Sequence, residues 1–117
     1  MLLGEEHFKP NWTAPEVLDG SHQVSPASDV YSLANVLFEI ASHEVPFQRE
    51  SSPRAVAQHI KEGRRPAFPE AWAVSSALQT FEFRELVGQA WAQSPLARPS
   101  ASMIAQDLSF MLESHLG

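Results

Sequence analysis

Cysteine is absent from this 117-residue chain, so no disulfide can staple it and no thiolate can ligate a metal. Basic residues are few: eight Lys and Arg stand against fourteen Asp and Glu, for a net charge of −6. That balance argues against a nucleic-acid partner, because phosphate binding takes clustered cations. The one local basic run, Lys61, Arg64 and Arg65, reads as a solvated helix end, where cations suit the macrodipole. No apolar run approaches the roughly 20 residues of a spanning helix. The opening MLLGEEHFKP is neither a signal peptide nor an anchor. The expectation is a cytoplasmic chain with no membrane partner. Strict apolar/polar alternation is missing, which removes the usual strand signal. No repeat or low-complexity segment is present. His7, His22, His43, His59 and His115 form no H-E-x-x-H and no i, i+4 pair, so no zinc site is expected. Ser25 and Ser28 lack a G-x-S-x-G context, and Glu5 and Glu6 read as solvated terminal acids.

What is present is ordinary in amount, with an apolar fraction of 44%, enough for one small domain. The strongest periodic segment is SPASDVYSLANVLFEIASHEVPF. Ser25 is placed to cap a helix and Pro26 suits its first position, where a missing N–H costs nothing. Val30, Leu33, Leu37 and Ile40 form an apolar stripe that Ala34, Phe38 and Ala41 widen, the pattern of a central buried helix. It should end near Ser42, before Pro46. Ser52–Pro53 repeats the cap-then-proline signal, and Gly63 is the natural stop of that second helix. RRPAFPEAWAVSS reads as an extended loop. Phe83, Leu86, Val87, Ala90 and Trp91 place a helix over about 80–92. A last helix starts at Ser100, with Ile104, Leu108, Met111 and Leu112 facing inward. Asn35, an amide inside the central helix, needs hydrogen-bond partners there. The expected fold is all-α: a short helix after Pro15 and four main helices.

Four motifs in order carry a resemblance: Ala14-Pro15-Glu16, Asp29 in DVYSLANVLFEI, Gly63 with RRPAFP, and WAQSPLARP. In this order and spacing, residues 11–112 resemble the C-terminal lobe of a eukaryotic protein kinase domain. Trp12 before the APE and Trp91 before SPLARP fit the tyrosine-kinase and tyrosine-kinase-like branch. The resemblance implies that residues 1–117 are a partial kinase domain, from the end of the activation segment to the last helix of the lobe. It implies that Glu16 is buried and pairs with Arg98, next to Pro99. It gives Asp29 the task of holding the catalytic loop, though an acid in a first helical turn also suits the helix dipole. It places Val36 and Ile40 on the internal hydrophobic spine. Trp12, Thr13 and Glu39 receive substrate-positioning places, although Glu39 also fits a plain exposed helix acid.

Several departures accompany the likeness. The family's Thr or Pro ahead of the APE aromatic is Lys9 here, with Pro10 displaced by one; Tyr31 replaces its Trp, Ala34 its Gly and Asn35 an apolar residue. The segment 69–91 is a few residues longer than the family norm. More consequential is what phosphoryl transfer needs and this sequence lacks. There is no G-x-G-x-x-G, no V-A-I-K-like strand, no H-R-D and no D-F-G. No residue is therefore assigned to catalysis, ATP or metal. ATP and Mg belong to the full-length family, which transfers the γ-phosphate to protein Ser/Thr or Tyr residues. Two functions follow as expectations. One is the substrate-side part of a longer kinase, whose partners are the missing N-lobe and protein substrates. The other is a non-catalytic, pseudokinase-like module that binds regulatory proteins through the helix Val56 to Ile60 and the loop after Gly63.

Overall fold

Serine followed by proline opens two of the helices, and the geometry shows why. The computed structural model describes residues 10–69 and 78–116, which form α1 (Pro15–Leu18), α2 (Pro26–Ser42), α3 (Pro53–Lys61), α4 (Leu78–Ala90) and α5 (Ala101–Leu116). Short 3-10 turns occupy Pro10–Trp12 and Pro95–Ala97, and no strand occurs among the described residues. At the head of α2 the Ser28 N–H donates to Ser25 Oγ at 3.2 Å, and the Ser25 N–H donates to Ser28 Oγ at 2.7 Å. This reciprocal box satisfies donors that a helix start otherwise leaves unpaired. Ser52 caps α3 by accepting from the Ala55 N–H at 3.1 Å. α2 ends where His43 turns left-handed (φ 62°) and donates its N–H to the Glu39 carbonyl. Gly63, at φ 92°, supplies the turn after α3 at little steric cost. Ser25→Ala is expected to cost about 1 kcal/mol, the usual loss of an N-cap, read as a lowered urea midpoint. An unchanged midpoint would mean that Ser28 alone holds the helix start.

The packing places α2 at the centre. Val30, Tyr31, Ala34 and Phe38 on α2 are buried with Val56 and Ile60 of α3, Leu86, Val87 and Ala90 of α4, and Ile104 of α5. Phe38, Phe68 and Trp91 form a ring cluster with centroids 5.6–5.9 Å apart, in tilted and edge arrangements that suit aromatic quadrupoles. Burial of this single core is the main favourable term for a chain of this size.

Four expectations need correction. Ile40 is 66% exposed and Val36 41%, so the apolar surface of α2 is covered on the flank facing α4 and open on the other. Leu112 points outward at 59% exposure, because the inward side of α5 is made by Ile104 with half-buried Leu108 and Met111. Arg65 is no solvated helix-end cation. It is half-buried, donates from Nε to the Trp91 carbonyl at 2.8 Å, and reaches the Ile60 carbonyl and Gln93 as well. Burial pulls its pKa below the ordinary arginine value. Finally, Val56 and Ile60 are core residues, so any contact surface of α3 belongs to its other residues. The part of the predicted loop at 70–77, and Lys9 with the residues before it, lie outside the described residues.

Candidate functional site

Glu16 lies in the first turn of α1 and Arg98 just past the 3-10 turn, 82 residues on, yet they meet in the interior. Arg98 donates from both terminal nitrogens to the two Glu16 oxygens, each at 2.8 Å. The Glu16 side chain is 6% exposed and that of Arg98 fully covered. The guanidinium is saturated by further bonds to the Ala92, Ala27 and Gln93 carbonyls at 2.8, 3.0 and 3.4 Å. A forked pair with every donor used is the form in which a buried ion pair is tolerable. It ties α1 to the N-terminus of α2 and to the turn before α5.

The bond from Arg98, offset in part by desolvation, holds the Glu16 carboxyl below its ordinary value of 4.5. The sign of the linkage follows. A depressed folded pKa contributes stability that is present above 4.5 and is lost as pH falls through the lower folded value. The acid limb of the stability curve should therefore flatten in Glu16→Gln. An identical limb in that variant would show that Glu16 does not titrate there.

Tyr31, with no exposed surface, lies under two cations: Arg65 is 5.0 Å and Arg98 5.1 Å from its ring centroid. Such contacts strengthen when desolvated. Burial pushes the phenol pKa up. Its hydroxyl and the Asn35 Oδ1 are buried without a hydrogen-bond partner among the described residues, while Asn35 Nδ2 donates to the Tyr31 carbonyl at 3.1 Å. The amide is thus half satisfied.

Trp12, Thr13 and Glu39 are drawn together by α2. The Trp12 indole N–H donates to Glu39 Oε1 at 3.2 Å, and the Ser32 hydroxyl donates to the Trp12 carbonyl at 2.7 Å. Thr13 is half-buried next to them, its N–H bonded to the Pro10 carbonyl. Ala14 and Pro15 are buried under α1, and Trp91 is 5% exposed in the ring cluster. Asp29 stands apart: it is exposed in the first turn of α2, its N–H donates to the Ser25 carbonyl at 2.9 Å, and its carboxylate makes no hydrogen bond or ion pair among the described residues. It borders a groove of about 450 Å3 floored by Pro26, Val30, Leu33 and Pro99. The residues that sequence reasoning missed are Arg65 and Gln93, which bridge the end of α3 to the turn after α4. Apart from each other, their partners are backbone carbonyls, which leave no trace in residue types.

Among the described residues the groove beside Asp29 does not fit a nucleotide or its metal: its floor is apolar, and the cation on it, Arg98, is already committed to Glu16. Among the described residues no group of three His, Asp or Glu side chains is gathered as a metal cage, and no helix is long and apolar enough to cross a membrane.

Comparison with known proteins gives consistent relatives. A model described as protein tyrosine and serine/threonine kinase matches residues 3–108. A light-sensor protein kinase of Ceratodon purpureus is 33% identical over 114 residues, which covers 86% of this chain and 8% of that protein. Atrial natriuretic peptide receptor 2 of Rattus norvegicus is 35% identical over 104 residues, 84% of this chain and 10% of the receptor. The dual specificity protein kinase pyk3 of Dictyostelium discoideum is 32% identical over 102 residues, 87% of this chain and 7% of the kinase. The chain thus spans about a tenth or less of the length of each.

Proposed function

We propose, because this chain belongs to the protein tyrosine and serine/threonine kinase family, that it is the substrate-side helical part of a kinase domain whose nucleotide-binding parts lie on other residues. The observation that carries this reading is the open flank of α2. Val36 and Ile40 are exposed there, and the groove beside Asp29 has an apolar floor and, at its rim, a carboxylate with no partner among the described residues. An apolar flank of this kind favours a covering partner, and an acid at its edge suits backbone N–H groups of a docked loop. On this reading residues 1–117 are a partial domain, and the rest of the domain covers the flank. ATP and Mg are held elsewhere; no step is assigned to them here. The wall formed by Trp12, Thr13 and Glu39 faces protein substrates. Glu39 Oε1 is engaged by Trp12, and its second oxygen is left to attract a basic residue of a substrate.

The test is direct. The 117-residue chain, given Mg-ATP and a mixture of protein substrates, should show no transfer and no saturable ATP binding at or below about 1 mM, the upper range of enzyme KM values. Transfer or saturable binding would overturn the reading. A second reading is favoured by one finding, that the relatives include a protein named as a receptor as well as proteins named as kinases. On that reading the parent is a non-catalytic, pseudokinase-like module that binds regulatory proteins. Both readings predict an inert isolated chain. They differ in whether the longer parent carries H-R-D and D-F-G.

A further inference from the structure

On the side of the molecule served by α3, a cleft of about 330 Å3 lies between the 44–50 loop, His59 and residues 64–67. Its size is at the lower end for ligand-binding clefts. Phe38 and Phe47 supply its aromatic surface, and Arg49, Glu50, His59 and Arg64 its polar wall. Phe47 holds a left-handed backbone, φ 58°, which is unfavourable for an aromatic residue and is kept only where the surroundings enforce it. Its ring stacks on the His59 imidazole at 6.3 Å, tilted by 27°.

The charges of the wall are unevenly used. His59 Nε2 lies 3.1 Å from Glu50 Oε1, and Arg64 lies 3.1 Å from His59 Nδ1. Arginine has no acceptor, so Nδ1 accepts, and the imidazole proton sits on Nε2 and goes to Glu50. Glu50 is therefore engaged, and Glu44 accepts from the Gln48 amide at 3.4 Å. The cations are less committed. Arg64 has one bond to His59 and a looser 3.7 Å contact to Glu62. Arg49 is exposed and makes no hydrogen bond or ion pair among the described residues. With Arg65 also on it, the lining carries three arginines against Glu44 and Glu50, a net charge of +1 in a chain of net charge −6.

We propose that this cleft docks an acidic segment of a partner protein, with an apolar side chain of the segment on Phe47 and its carboxylates against Arg49 and Arg64. Charge complementarity of this kind selects the partner and steers its approach. The inference does not depend on phosphoryl transfer; a kinase part and an inert module can both use the cleft.

The probe is a fluorescein-labelled peptide, Asp-Asp-Phe-Asp-Asp with blocked ends, and the comparison is Lys-Lys-Phe-Lys-Lys with the same label. Both are titrated against the 117-residue chain by fluorescence anisotropy. The net charge of the chain favours the lysine peptide, so preference for the acidic one can arise only from a local cationic site. The expected result is tighter binding of the acidic peptide by about tenfold, weakened by added salt. Arg49→Glu should abolish the preference with an unchanged circular dichroism spectrum, since Arg49 supports no other group among the described residues. Arg64→Ala should lower it independently. No saturable binding up to about 1 mM, equal binding of the two peptides, preference for the lysine peptide, or a preference that survives Arg49→Glu would each overturn the proposal.

Discussion

Arg98→Ala lowers the unfolding free energy by about 3–5 kcal/mol, the cost of leaving a buried carboxylate without its cation. The loss is large because three partners are affected together. Glu16 keeps its burial but loses both 2.8 Å bonds, and the Ala92 and Ala27 carbonyls lose their donor. Arg98→Lys should recover little, since an ammonium cannot reproduce the planar fork. Glu16→Gln keeps the shape and removes the charge, and should fall between wild type and Arg98→Ala. Urea unfolding of the four proteins measures the series. A loss for Arg98→Ala within about 0.5 kcal/mol, typical of a surface site, would show that the pair is solvated.

Tyr31→Ala is the second large effect, at about 3–5 kcal/mol, as for other large aromatics cut from a core. The ring has no exposed surface and carries two guanidinium groups, so its removal opens a cavity and strips both cations of their platform. Tyr31→Phe separates the ring from the hydroxyl. That hydroxyl is buried without a partner among the described residues, so its loss relieves a desolvation cost. Tyr31→Phe should be neutral or more stable by up to about 1 kcal/mol. A loss above about 1 kcal/mol in Tyr31→Phe would instead show that the hydroxyl is well bonded in solution.

The contrast between these sites also shows where sequence is informative. The starts of α2 and α3 are legible because Ser-Pro is a local signal: cap and first helical residue are adjacent, and no distant contact is needed. The all-helical class is legible from the periodicity of 30–41 and 83–91 for the same reason. Glu16 and Arg98 are a different case. Their local chemistry does not say that they meet, and only the family likeness on both sides connects positions 82 residues apart. Arg65 is harder still. Lys61, Arg64 and Arg65 look alike as a basic run, and only the position of the Trp91 carbonyl and of the Tyr31 ring separates the half-buried Arg65 from its exposed neighbours. Val36 and Ile40 mislead in the opposite direction. Their apolar character marks a surface meant for contact, but it does not say which element supplies the contact. A periodic stripe records demand for burial, and burial itself depends on the partner.

The same point fixes the meaning of the open flank. α2 is built as a central helix, apolar on nearly every side, yet Val36 and Ile40 on one flank of it are exposed. If the remainder of a kinase domain supplies the cover, the polypeptide that bears NWTAPEVL in the cell is longer than 117 residues. Intact mass and peptide sequencing of that native polypeptide test this most directly. The account predicts a mass well above 13.0 kDa, with additional kinase-domain sequence joined to these residues. A native polypeptide of 13.0 kDa would contradict it.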